Sequence, residues 1–175
     1  SGYIFPDGTV QTTAAAGAGS QPETFLVDTN GTLTNGLVAY WKLDETSGTR
    51  EDSKASNHLK DFNTVTSNPG KKGNAAQFTA ANVEMLTLAD NPSISTGDID
   101  WTFAAWVNLD SLVDGYIITK NDGSTFEYVI LYDVGSSGFR FIYYDGVGGT
   151  SGDVSLPTGV SLGIWNFVVA YHNAA

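Results

Sequence analysis

The segment Asp44-Glu-Thr-Ser-Gly-Thr-Arg-Glu-Asp-Ser-Lys-Ala-Ser-Asn57 gathers four carboxylates, with Ser and Asn oxygens, within 14 residues. Hard oxygen donors carried on a loop are what Ca2+ requires. The spacing is not that of an EF-hand, and the same composition also describes a solvated turn. Of the acids, 14 are Asp and 5 are Glu. Asp favours turns and side-chain-to-backbone hydrogen bonds, whereas Glu favours helices, so the excess predicts many turns and little helix. His58 and His172 are the only histidines, far apart in sequence and each beside polar residues. They offer neither a metal cluster nor a nucleophile–base pair.

Signatures of catalysis are missing. The chain has no Gly-x-Ser-x-Gly elbow, no P-loop and no dinucleotide fingerprint. Glycosidases set two carboxylates across a groove. Among the predicted strands only Glu84 and Glu127 are Glu, and neither has an acid two residues away. The expectation is a protein that is not an enzyme. There is no Cys, so no disulfide or thiol chemistry applies.

Strands must position whatever acts. Leu37, Ala39, Trp41 and Leu43 alternate with other residues, as do Trp101, Phe103, Ala105, Val107 and Leu109. Period two with aromatic and β-branched residues marks half-buried strands. Strands are predicted over 37–43, 57–62, 74–79, 83–88, 101–109, 115–119, 126–132, 139–144 and 164–171, with Trp41, Phe78, Phe103, Val107 and Val168 in the core. Asp122-Gly123 and Asp145-Gly146 punctuate them as turns. This rhythm suits an antiparallel sandwich or jelly roll. The segment 164–171 is apolar on both faces and reads as a central strand, so a pairing strand is expected beyond Ala175 and the domain is expected to be incomplete.

The chain has 175 residues, 41% of them hydrophobic, enough for one domain with a core. Its net charge of −11 disfavours nucleic acid and anionic membranes as partners. No run reaches the ~18 apolar residues of a membrane span. Residues 1–35 differ from the rest. Pro6-Asp7-Gly8 is a turn between short β-prone runs, and Ala14 to Ser20 reads as a linker. This arm lacks apolar mass, so it is expected to be extended and to lean on other chains.

Four segments, in order, carry a resemblance: Gly36-Leu-Val-Ala-Tyr-Trp-Lys-Leu-Asp-Glu-Thr-Ser-Gly-Thr49 with Asp52 and Asn57, Gly70 to Phe78, Asp98 to Val107, and Trp165 to Ala170. Together they resemble the concanavalin A-like, laminin G-type (LamG) lectin/glucanase domain, over roughly residues 36–172. The family's Gly after the Asp-Ser pair is replaced here by Lys54, and its later Tyr-Val-Asp-Gly strand is missing. In the arm, Phe5-Pro-Asp-Gly-Thr-Val-Gln-Thr-Thr-Ala14 looks like a segment of bacteriophage tail fibres and related virion proteins.

The resemblance implies an antiparallel jelly-roll β-sandwich over 36–175 behind a fibre-like arm over 1–35. Some family members hold a structural Ca2+. Here Asp52 and Asn57 are the residues in position to ligate one. It further implies a host-attachment module of a virion tail fibre or an extracellular surface. Its partners would be carbohydrate on a host cell, other copies of the chain in a homotrimer, and other virion proteins. Sugar sites pair an aromatic platform with hydrogen-bonding side chains. Tyr128, Tyr132, Tyr143 and Tyr144, with Asp133 and Asp145 at the strand ends, are the candidate ligand-binding residues, and core packing is the competing role for most of them. The net charge of −11 predicts that acidic polysaccharides bind poorly at low salt unless calcium bridges the anions. Two other readings stay open: a structural decoration module without a ligand, and an accessory carbohydrate-binding domain of a larger glycan-cleaving enzyme.

Overall fold

The computed structural model describes residues 35–97, 99–121, 126–144, 152–156 and 159–173. The expectations for the arm, including the Phe5–Ala14 segment, fall outside these residues, as does Asp145. Among the described residues there are ten strands: β1 (Lys60–Phe62), β2 (Thr66–Pro69), β3 (Asn74–Gln77), β4 (Met85–Thr87), β5 (Trp101–Asn108), β6 (Gly115–Asn121), β7 (Phe126–Asp133), β8 (Gly138–Tyr143), β9 (Gly152–Leu156) and β10 (Trp165–His172). Helix among the described residues is limited to two 3-10 turns, Ala80–Asn82 and Pro92–Ile94. The fold is all-β.

Every pairing is antiparallel: β1 with β4, β2 with β3, β5 with β10, and β6-β7-β8-β9 as a four-stranded meander. The alternation in β5 comes out as expected, with Trp101, Phe103, Ala105 and Val107 half-buried and Thr102, Ala104 and Trp106 exposed. The half-buried face meets the meander. Ile130 and Tyr132 of β7, Phe139 of β8 and Val168 and Ala170 of β10 form one buried cluster with Val160, and Phe103, Val107 and Phe141 pack against it. Rings lock the two sheets together: Trp101 sits 5.4 Å from Tyr128 and 5.2 Å from Phe141, and Tyr143 sits 4.3 Å from His172. A large apolar side chain buried as fully as Ile130 contributes roughly 1.5–3 kcal/mol.

Three expectations need correction. Residues 37–43 alternate in burial, yet they form only an isolated bridge between Trp41 and Asp52. The reason is local: the Tyr40 amide donates to the Asp52 carboxylate instead of a neighbouring strand, and Leu43 turns to φ 60°. Phe78 is 50% exposed rather than in the core, because β3 stops at Gln77. Two strands were not anticipated, the polar Thr66–Pro69 and Gly152–Leu156. Of the expected core set, Val168 is buried and Trp41, Phe103 and Val107 are half-buried.

Candidate functional site

The Asp44–Asn57 loop is held together by its own donors and acceptors. Asp52 is buried, and its Oδ1 accepts from the amides of Tyr40 (2.8 Å) and Lys54 (2.9 Å) while Oδ2 accepts from the Asn57 amide (3.1 Å). Burial pushes this carboxyl up, but the amides of Tyr40, Lys54, Asn57 and Ala55 outweigh it and hold the group below its ordinary value. Asn57 is also buried, and its Oδ1 accepts from Asn91 Nδ2 (2.7 Å) and Ser93 Oγ (3.0 Å). Its carbonyl accepts from Trp41 Nε1 at 2.6 Å. In the same loop lies Arg50, fully buried, donating to the carbonyls of Gly48, Val65 and Thr66. The side-chain oxygens of Asp52 and Asn57 are thus engaged by N–H and O–H groups of the chain itself, as in a loop closed by its own hydrogen bonds. Among the described residues no three His, Cys, Asp or Glu gather as a metal site.

A second charged group was not legible in the sequence. Lys120 of β6 is 6% exposed, and its Nζ donates to Asp90 Oδ1 at 2.7 Å and Glu127 Oε1 at 2.6 Å. Glu127 also accepts from Ser95 Oγ and the Thr96 amide, both at 3.3 Å. Burial pulls the Lys120 ammonium down, but the two carboxylates prevail and hold it above its ordinary value. The triad fastens the 90–96 loop to the meander. Next to it, burial pushes the Tyr128 hydroxyl up to about 12, with Glu127 adding to the shift and Lys120 opposing it.

The candidate sugar-binding residues do not share one surface. Tyr128 and Tyr132 are buried, Tyr128 against Trp101 and Tyr132 edge-on to Phe139. Tyr143 is half-buried between Phe141 and His172. Tyr144 stacks on Phe126 at 6.4 Å, and Phe126 in turn lies 6.3 Å from Tyr116. Asp133 accepts from the Ser136 amide at 2.7 Å and closes the β7–β8 turn. The Ser136 hydrogen bonds hold its carboxyl below the ordinary range.

Besides Tyr116, which is 66% exposed at the end of its ring row with Phe126 and Tyr144, an accessible aromatic surface lies on the face of β5 and β10 turned away from the core. Three successive cross-strand pairs line it: Thr102 with Tyr171, Ala104 with Val169, and Trp106 with Phe167. Tyr171 is 66% exposed, Phe167 58%, Trp106 47% and Val169 44%. Isolated exposed apolar residues are ordinary, whereas a contiguous set marks a contact surface. The Trp106 and Phe167 rings lie 5.0 Å apart. Lys71, in the turn between β2 and β3, holds its Nζ 5.1 Å from the centre of the Trp106 ring, within cation–π reach. That turn is built to stay in place. The Gly70 amide donates to the Gly73 carbonyl, and Asp44 Oδ1 accepts from the Asn74 amide at 2.9 Å. Gly73 has φ 63°, and a Cβ there would sit 2.3 Å from Asp44 Oδ1. One signal for this face was available: β10 is apolar at odd and even positions alike, and only one set can face the core.

Comparison with protein-family models, with curated proteins and with solved structures finds no match to this chain. Among the described residues no helix is long and apolar enough to cross a membrane.

Proposed function

We propose that this chain is a non-enzymatic binding module with a concanavalin A-like, LamG-type jelly-roll sandwich, which recognises carbohydrate on a host cell surface. The four ordered motifs support the family, and the antiparallel strands packed in two layers are compatible with it. The arm's likeness to phage tail-fibre segments supports a place on a virion appendage as a homotrimer with other virion proteins. The observation that carries the ligand class is the exposed ring face of Trp106, Phe167 and Tyr171. Sugar C–H faces stack on such rings, while nearby polar groups receive the hydroxyls. Fold does not give function, so the ligand rests on this surface and on the resemblance.

Each site should bind weakly, because a shallow, solvated face gains little net free energy, and linked copies should bind more firmly through effective concentration. The test is a glycan array and a pull-down of the oligomer on purified host capsule or lipopolysaccharide, with isolated monomer as one control. Calcium, which the resemblance allows, enters as a variable through a chelator. Binding by the oligomer that the monomer lacks is the expected result. The same apolar face would also suit another protein chain, so the alternative is a structural assembly module. It wins if the oligomer binds no glycan while particles lacking the domain are misassembled.

A further inference from the structure

We infer that the β5–β10 face selects sugars that carry a negative charge, with Lys71 reading the charge and the Trp106–Phe167 pair supporting the ring. This inference rests on the carbohydrate reading of that face. Its physical basis is the place of Lys71 over the exposed ring, set against three cations whose partners lie within the fold. Lys120 is neutralised by Asp90 and Glu127, Arg140 by Asp153, and Arg50 is buried against carbonyls. Lys71 is exposed, stands over an exposed ring and has no carboxylate partner among the described residues. The surface where an uncharged sugar face can stack therefore also holds an ammonium that is not internally neutralised. That is charge complementarity to a uronate-type carboxylate or another anionic substituent.

Position matters as much as charge. Lys71 does not wander on a free tail. It sits in a four-residue turn closed by the Gly70–Gly73 hydrogen bond and tied to Asp44 through Asn74. A sugar lying along Trp106 and Phe167 would carry its charged substituent toward Nζ, where a hydrogen-bonded ion pair forms in place of the cation–π contact. The net charge of −11 opposes this from a distance. Long-range repulsion fades beyond a Debye length of about 8 Å at 0.15 M salt, whereas a contact pair is screened much less. At that salt the local cation decides.

The experiment titrates the full chain at 0.15 M salt with an oligogalacturonate and with its methyl ester, which keeps the sugar and masks the carboxylate, following tryptophan fluorescence. On the unmodified protein the acid should bind about threefold tighter than the ester, the scale of one exposed charge pair. Lys71→Met should remove that preference by weakening the acid arm alone, and Lys71→Glu should invert it. Lys71 is exposed, so circular dichroism should confirm that both variants fold. Equal binding of acid and ester, or an acid arm unmoved by Lys71→Met, overturns the inference while ester binding leaves the carbohydrate reading standing. If neither sugar binds, the inference falls, and the glycan array decides the broader reading separately.

Discussion

Asp52→Ala tests whether the loop is held by a carboxylate clasp or by a metal. The substitution removes the acceptor of the Tyr40, Lys54 and Asn57 amides, along with the weaker contact from the Ala55 amide. The Asn57 amide belongs to a residue only 2% exposed, so no water replaces its partner, and leaving such a donor unpaired costs about 1–3 kcal/mol. Tyr40 and Lys54 are exposed residues, so their amides can return to water and each loses roughly 0.5 kcal/mol, the low end for a net hydrogen bond. The sum is roughly 2–4 kcal/mol, read from urea unfolding of both proteins with calcium and with chelator. The loss should be the same in both. Its pH dependence has a definite sign. The folded carboxyl is held below its ordinary value of 3.8, so its contribution is present above pH ~4 and fades as pH falls through the folded value. The gap between Asp52→Ala and the unmodified chain should therefore narrow in acid. A loss that appears only with calcium would make Asp52 a metal ligand and refute the clasp; a loss under about 0.5 kcal/mol would refute the magnitude.

Ile130→Ala, at a side chain 1% exposed in the centre of β7, should lower unfolding free energy by about 2–5 kcal/mol, whereas Phe78→Ala, at 50% exposure, should lower it by less than about 1 kcal/mol. Equal losses in urea melts would show that Phe78 is a core residue after all. Alkaline stability offers another check. Lys120 and Tyr128 are both held above their ordinary values of 10.5 and 10.0, so both contribute fully at neutral pH and their contributions fall as pH climbs through 10 to 12. Melting temperature should drop across that window, and Lys120→Met should start lower and flatten the drop. An unchanged profile in Lys120→Met would remove the triad from the account.

The strands were legible where side chains alternate. Trp101, Phe103, Ala105 and Val107 share the inner face of β5 because period two leaves no other arrangement with these residues covered. The strands Thr66–Pro69 and Gly152–Leu156 were not: the first carries no apolar rhythm, and in the second only Val154 and Leu156 alternate with polar residues, too short a run to stand out. Each is a strand through its partner: Thr66–Pro69 is folded back on β3 by the Gly70–Gly73 turn, and Gly152–Leu156 pairs with β8. Leu37 to Leu43 shows the converse, a good alternating pattern whose backbone is diverted by one carboxylate. Alternation reports which side chains are covered, and a ladder additionally needs a neighbour with free amides and carbonyls.

The site was harder to see for a related reason. A sequence displays the carboxylates of Asp52 and Asp133 but not the amides aimed at them, so residues that read as ligand donors turn out to accept from their own loops. Likewise Tyr128 and Tyr132 read as a platform, although they sit on the face of β7 that meets β5 and β10. The informative positions were those the core had no use for. With Val168 and Ala170 turned inward, Phe167, Val169 and Tyr171 must face the other way, and register sets them beside Trp106, Ala104 and Thr102. Lys71 reaches the same ring through a turn 35 positions earlier in the chain, fixed by a glycine that no side chain could replace without meeting Asp44. Strand register assembles the rings and a separate hairpin delivers the charge, so the combination exists only once both have formed.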